Sequence, residues 1–450
     1  MAVDVQRIPR HIGSRWDGVR RRYKWWQLTL FVIGIITAVS VFGALFFAVG
    51  DKPTRIYTDA EPPPVEAPHF ATALSTIVGA PVEHGGTITT LNNGDEFVPA
   101  LLDAIEHADR TINFAVYIWA EGQFSDQLLA ALEKKQREGV TVRVLLDGLG
   151  SIKVPDEDFE ALVAAGGKVQ KFRSPKFGKL TRFHRRNHRR SIVIDGETGF
   201  TGGMAVADIW LGNAQDPDHW RDMMFKVTGP LARSLQSAFV DLWVSSSGEL
   251  LIDPKNYPVN APADVAGVER FIHLANSPAD DDQSMAYFFL LPILSARESI
   301  YLAAPYFIPD KHLQSALVEK ARSGVDVRLL LPGPHTDNWI TRASAQARYQ
   351  ELLEAGAKIY EYQPTFMHAK YGLIDGKWSI VGSPNLNSRS RQLDEENAIG
   401  IDDAAFGAAL KATFIKDLER STPVDLEKWR RRNPLQKLFE TISRILDQQS

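Results

Sequence analysis

Two stretches of this sequence place a histidine, a cation and an aspartate at one spacing. The first is His188-Arg189-Arg190-Ser191-Ile192-Val193-Ile194-Asp195. The second is His368-Ala369-Lys370-Tyr371-Gly372-Leu373-Ile374-Asp375. Each runs through an apolar β-like segment into an Asp-Gly turn and then a glycine step, Gly202-Gly203 or Gly382-Ser383. One such pattern can arise by chance; two argue for one active site built from two halves. On a strand, residues i and i+2 share a face, so Arg190 and Lys370 project beside their histidines. At a phosphodiester, the two cations would bind the non-bridging oxygens and stabilise charge on a pentacoordinate transition state. One histidine would attack phosphorus to give a phosphohistidine. The other would protonate the departing alkoxide and later deprotonate the incoming hydroxyl. No metal and no cofactor is expected, because cations stand where a two-metal phosphodiesterase needs clustered carboxylates. A lone histidine is usually structural, and nine of the eleven here are read that way. His188 and His368 are set apart by the cation, the aspartate and the glycines that follow each.

The elements that must position these residues repeat along with them. Thr111 to Ile118, Gln127 to Glu138 and Val140 to Gly148 read as strand, helix, strand. Ser299 to Tyr306, His312 to Ser323 and Val325 to Gly333 read the same way. Each half then adds a helix, a glycine stop and a strand, at Ala165-Gly166-Gly167-Lys168-Val169 and Ala355-Gly356-Ala357-Lys358-Ile359. Strands alternating with helices predict βαβ units. The fold class is therefore α/β, with two pseudo-symmetric halves, each a mostly parallel sheet flanked by helices. Their expected ranges are 87–265 and 266–425.

The bulk composition is globular: 450 residues, 44% hydrophobic and 24% charged, with a net charge of −4 too small to imply a partner by itself. Cysteine is absent, which excludes disulfides and Cys-based zinc sites. One segment departs from the soluble pattern. Gln27 to Val49 is 23 residues without a charge. At 1.5 Å per residue it crosses a hydrocarbon core of roughly 30 Å, and it is too long for a signal-peptide core. Seven Lys or Arg lie in the 26 residues before it, and only Lys52 and Arg55 follow closely. The positive-inside rule puts this basic tail, 1–26, in the cytoplasm and the catalytic part outside. Residues 50–86, rich in proline from Pro53 to Pro68, read as a stiff linker.

Two basic features complete the chain. Gly166 to His188 is ten residues longer than Gly356 to His368, and Lys168 to Ile194 holds ten Lys or Arg and no acid. This strip reads as a lip facing anionic phosphate or membrane. Residues 426–450 read as a basic amphipathic helix, with Leu435, Leu438, Phe439, Ile442, Ile445 and Leu446 on one face behind Arg430-Arg431-Arg432.

The double motif resembles the phospholipase D superfamily. Ala304-Pro305-Tyr306-Phe307-Ile308-Pro309-Asp310, the segment Glu351 to Tyr362 and the stretch from Asn385 to Glu396 resemble its cardiolipin synthase branch. The resemblance implies transfer of a phosphatidyl group between two phosphatidylglycerol molecules at an inner-membrane site. The alternative is phospholipase D-type hydrolysis; a nuclease or a non-catalytic lipid-binding protein fits less well. The implied partners are a phospholipid and the membrane, not nucleic acid, and the oligomeric state is left open. By the same resemblance Asp222 and Glu396 orient the histidines, and Ser383 and Asn385 join Arg190 and Lys370 at the phosphate. His188 is the expected nucleophile and His368 the acid/base, while Asp195 and Asp375 brace the site. The chain departs from the pattern at Arg190, where lysine is usual, at Ala205, where asparagine is usual, and in having one expected span rather than two.

Overall fold

The computed structural model describes residues 27, 29–32, 34, 56–174, 185–258, 267–277 and 282–433. Residues 27, 29–32 and 34 are helical. Most of the expected span 27–49, the basic tail, the centre of the basic strip and residues 434–450 of the expected C-terminal helix lie outside the described residues. Among the described residues, no helix is long and apolar enough to cross a membrane.

The second part of the expected linker is folded. A helix at Phe70–Val78 buries Phe70 and Leu74. The Phe70 ring meets Trp378 edge-on at 4.9 Å. Strand β1 (Val82–Glu83) then pairs antiparallel with a strand of the second half. The proline count predicted an extended tether, but the apolar residues Phe70, Ala71, Leu74 and Val78 fall on one helical face and find a partner.

The first half is a seven-stranded sheet: β2 (Ile88–Asn92), β3 (Thr111–Val116), β4 (Thr141–Asp147), β5 (Lys168–Phe172), β6 (Ser191–Ile194), β7 (Thr198–Gly202) and β8 (Met223–Thr228). Their spatial order is β2-β8-β7-β6-β3-β4-β5. The second half supplies β9 (Arg270–Asn276), β10 (Ser299–Ala303), β11 (Asp326–Pro332), β12 (Lys358–Tyr362), β13 (Tyr371–Ile374), β14 (Trp378–Gly382), β15 (Glu396–Asp402) and β16 (Ser421–Pro423). The order there is β1-β9-β15-β14-β13-β10-β11-β12-β16.

These sheets are mixed, which corrects the expectation of mostly parallel ones. Among the described strands, only β3-β4-β5 and β10-β11-β12 run parallel, each through the predicted βαβ units. The motif strands β6 and β13 run antiparallel to both neighbours. The cause lies in the motif itself. Asp195-Gly196 and Asp375-Gly376 adopt φ of 56° and 68°, and of 51° and 68°. Two successive left-handed residues make a primed turn, which closes a tight hairpin and cannot carry a parallel crossover. Each turn aspartate also ties the hairpin down. Asp195 accepts the backbone N–H of Asp109, Arg110 and Thr111 at 2.7–2.9 Å. Asp375 accepts those of Arg297, Glu298 and Ser299 at 2.8 Å.

The halves share an apolar core. Val193, Met223, Phe225 and Leu231 of the first pack in one cluster with Tyr301, Tyr371, Ile399 and Phe414 of the second. Each large apolar side chain buried this way contributes about 1.5–3 kcal/mol, so the seam is a fixed part of the fold. It includes Met367 and Ala369, the residues on either side of His368.

Candidate active site

The histidines sit just before β6 and β13, at the end of each sheet where β3 and β10 finish. Two short bridges stitch the halves together there. His188 donates its backbone N–H to Glu395 at 3.0 Å, and Glu395 donates back to Arg186 at 2.8 Å. In the mirrored place His368 donates to Arg221 at 2.7 Å, and Arg221 to Phe366 at 3.0 Å. Each bridge puts the next residue of one half, Glu396 or Asp222, under the histidine of the other.

The orienting contacts are therefore crossed. His188 Nδ1 lies 2.9 and 3.0 Å from the Glu396 carboxylate oxygens. His368 Nδ1 lies 2.5 Å from Asp222 Oδ2. With Nδ1 committed to a carboxylate, Nε2 is the nitrogen left for chemistry in both rings. All four side chains are buried.

The two carboxylates are supported differently. Asp222 also accepts from Trp210 Nε1 at 2.9 Å and from the Met223 backbone N–H at 2.8 Å. Glu396 accepts from Ser383 Oγ, whose own oxygen receives the Asn397 backbone N–H at 2.9 Å. The glycine step explains the exchange. Gly203 occupies the place of Ser383, and a Cβ there would stand 2.1 Å from Asp222 Oδ1. The shorter aspartate brings its carboxylate down onto the backbone and needs glycine below it. The longer glutamate leaves room for a serine.

The cations differ as well. Lys370 Nζ donates to the His368 carbonyl at 2.9 Å. It also stands 3.1 and 3.2 Å from Nε2 and Nδ1 of the same ring. Arg190 donates to three carbonyls, of His188 at 2.6 Å, Gly203 at 3.0 Å and Met204 at 3.3 Å. Its fork has spare N–H groups beyond these three bonds.

Burial and this concentration of positive charge set the protonation states. Burial, with Arg190 and Lys370 beside it, pushes His188 well below the usual imidazole range. Burial and Lys370 bring His368 down to about 4 despite Asp222. Burial lowers Lys370 to about 7. Burial raises Glu396 to about 7, against the pull of Ser383, Ser390 and the two cations. Burial also pushes Asp222 upward, but His368, Lys370 and the Met223 N–H outweigh it and leave Asp222 below the ordinary carboxylate range. Both rings are thus neutral near pH 7.

Of the residues picked out in the sequence, His188, Arg190, Asp222, His368, Lys370, Ser383 and Glu396 come together. Asn385 is buried beside them, with its backbone N–H held by Ser390 Oγ at 3.1 Å and its side-chain oxygen without a hydrogen-bond partner. Its counterpart Ala205 is buried and can offer no such group. Asp195 and Asp375 are not in the site. They lie seven residues along an extended chain, about 23 Å from the histidines, and hold the hairpins described above.

The described part of the basic strip next to His188 is buried rather than exposed. Arg186, Arg189 and Arg190 are buried. Arg189 bonds the carbonyls of Ala238 and Asn276 at 3.1 and 3.0 Å and Asp241 at 3.0 Å, which ties the seam rather than facing outward. Sequence reasoning also passed over an aromatic wall. Tyr117 meets His188 edge-on at 5.0 Å. Trp220, Phe366 and Trp210 surround His368 at 5.3, 5.6 and 5.7 Å. Tyr306 stands 6.4 Å from the same ring and donates its hydroxyl to Asp337. Trp220 and Phe366 adjoin the motif segments, and that adjacency was the available signal.

Comparison with known proteins agrees with this arrangement. The family described as cardiolipin synthase, PLD-like domain, matches residues 101–243 and 291–418. Cardiolipin synthase 1 of Bacillus anthracis is 33% identical over 387 residues, covering 84% of this chain and 75% of that one. Cardiolipin synthase A of Pseudomonas fluorescens is 36% identical over 360 residues, 79% of this chain and 73% of that one. Among solved structures, phosphatidylserine synthase of Haemophilus influenzae superposes with a TM-score of 0.63 at 16% identity, covering 84% of this chain and 97% of that one, a likeness of fold. The chain belongs to the cardiolipin synthase family of phospholipase D-like proteins.

Proposed function

We propose that this protein is a phosphatidyltransferase that joins two phosphatidylglycerol molecules into cardiolipin and releases glycerol. The observation that carries the reading is the crossed pair of dyads, His188 with Glu396 and His368 with Asp222, around two cations. In the first step His188 Nε2 attacks phosphorus, a P–N bond forms and the P–O bond to the leaving glycerol breaks. His368, protonated once the anionic phosphodiester sits beside its ring, gives that alkoxide its Nε2 proton. In the second step His368 takes the proton of the incoming glycerol hydroxyl, whose oxygen displaces His188 and restores the free ring. Arg190 and Lys370 hold the non-bridging oxygens throughout, with Asn385 on the second-half side, while the Ser383 hydroxyl, whose proton goes to Glu396, holds that carboxylate. A neutral His188 suits attack, and an anionic Asp222 suits a His368 that must become imidazolium.

The relatives' names support a lipid product, and so does the expected anchor at 27–49, with its basic residues on the N-terminal side. On that charge asymmetry the catalytic halves face the extracytoplasmic side, and protease added to intact spheroplasts should digest them while a cytoplasmic control survives. The activity is tested with purified protein and labelled phosphatidylglycerol. Cardiolipin and free glycerol in equal amounts are expected, with most turnover retained in EDTA. Phosphatidic acid as the main product would make the enzyme a hydrolase, and no turnover would overturn the reading.

A further inference from the structure

The two segments that leave β4 and β11 at the histidine end of the sheets carry exposed apolar residues. In the first half the loop after β4 carries Leu149 and Ile152, both exposed, the latter by 55%. In the second half the loop after β11 leads into a helix, Trp339–Gln346, whose first two residues, Trp339 and Ile340, are exposed, the former by 63%. These loops leave equivalent parallel strands at the end of the sheets where the histidines lie.

Each loop is fastened to the mouth of the site. Asp147 accepts the backbone N–H groups of Leu149 and Gly150 at 2.9 Å and that of Asn187, next to His188, at 2.7 Å. Ser151 accepts the Trp119 backbone N–H at 3.0 Å and donates to the Tyr117 carbonyl at 3.2 Å. On the other side Asp337 accepts the hydroxyl of Tyr306. Asn338 caps the helix Trp339–Gln346 by accepting the N–H of Ile340 at 3.0 Å and Thr341 at 3.2 Å. The apolar tips are held out from the rim by polar contacts beneath them.

We propose that Leu149 and Ile152, with Trp339 and Ile340, form a two-point dock that enters the surface of a phospholipid bilayer and seats the mouth of the site on it. The inference rests on the lipid reading given above. A diacyl substrate resides in the bilayer, so the mouth through which its phosphate reaches His188 and His368 must meet that surface. A tryptophan beside isoleucine suits the headgroup boundary, where an apolar ring with a polar N–H is favoured. Lys153 follows Ile152 and is exposed, but Asp156, Glu157 and Asp158 come soon after it, so the dock rests on the apolar tips and not on charge.

A third apolar patch serves as the control. Leu250 and Ile252 are exposed, Ile252 by 84%. They follow Glu249, which pairs at 2.8 Å with Lys168 at the start of β5, the opposite end of the sheet from the histidines. They should stay in water.

The cysteine-free chain makes the test direct. Ile152→Cys, Ile340→Cys and Ile252→Cys in the full-length protein are each labelled with an environment-sensitive fluorophore and reconstituted into phosphatidylglycerol–phosphatidylcholine vesicles. Labels at 152 and 340 are expected to blue-shift and to be quenched by lipids carrying a shallow nitroxide, while the label at 252 is not. Labels at 152 and 340 that stay as aqueous as 252 would overturn the proposal. The second arm uses the fourfold variant Leu149→Ser, Ile152→Ser, Trp339→Ser, Ile340→Ser. It should lose about tenfold or more of its turnover on vesicles and keep its turnover of dihexanoyl phosphatidylglycerol below the micelle threshold. Equal loss on both substrates would show that the tips support the fold and overturn the dock. Wild-type protein that turns over neither substrate, with the labels still quenched, would overturn the lipid chemistry and not the dock.

Discussion

The first half holds its motif cation with three carbonyls and sets a short carboxylate over a glycine; the second leaves a lysine on one carbonyl and props a longer carboxylate on a serine. The backbones around these side chains repeat closely, down to the paired bridges in which His188 donates to Glu395 and His368 to Arg221 and the three N–H groups on each turn aspartate. What differs is electrostatic. Asp222 is held below the ordinary carboxylate range, whereas Glu396 is raised to about 7. Because the dyads cross, the firmly anionic carboxylate of the first half serves the histidine of the second. A duplicated fold thus gives two unlike histidines, as a reaction with one nucleophile and one proton shuttle requires.

The largest expected effect removes that division altogether. His188→Ala and His368→Ala should each lower kcat by roughly 10⁴–10⁶-fold, and the double variant by little more than either alone. Near-wild-type turnover by either single variant would break the comparison at its root.

The carboxylates should rank next and unequally. Asp222→Asn should cost about 10²–10⁴-fold in kcat, because it removes a negative charge from beside the ring that must carry a proton. Glu396→Gln should cost about 10–100-fold, because Glu396 orients the His188 ring but, raised to about 7, holds its charge less firmly than Asp222. Steady-state kinetics on phosphatidylglycerol would rank them, and the reverse order would exchange the roles of the two histidines.

The glycine step gives a smaller contrast. Gly203→Ala forces a methyl group into the Asp222 carboxylate, and a shift of the order of 1 Å in that carboxylate lowers kcat by about 10²-fold. Ser383→Ala removes one hydrogen bond from Glu396, worth about 1–1.5 kcal/mol, so its effect should be near tenfold. Paired kcat and Tm measurements separate displacement of the dyad from loss of fold.

The smallest effect concerns pH. Lys370 is charged below about 7 and loses its proton above it. The alkaline limb of kcat/KM should therefore lie near neutrality. Lys370→Arg should move that limb upward by about 2 units or more, since guanidinium stays charged there. Arg190→Lys should leave the limb in place or lower it.

These contrasts mark where the sequence was informative. The motif spacing identified both histidines, both cations and, through the family resemblance, both carboxylates. The βαβ units were legible from the strand and helix periodicity. The crossing of the dyads was not, because Asp222 and Glu396 each follow their own half's histidine in the chain and meet the other's only through the seam. Sheet direction was misread although Asp195-Gly196 and Asp375-Gly376 carried the hairpin signal; the helical connections took precedence in the reading. The basic strip misled for a different reason. A run of arginines looks solvated in sequence, yet Arg189 sits dry among carbonyls and acids contributed by residues 49 or more positions away.

Acid-quench trapping with phosphatidylglycerol labelled in the phosphate tests the two-histidine account most directly. The account predicts an acid-labile label on the peptide that contains His188, retained in His368→Ala and absent from His188→Ala. Label on His368 instead, or a label that survives the loss of both histidines, would contradict it.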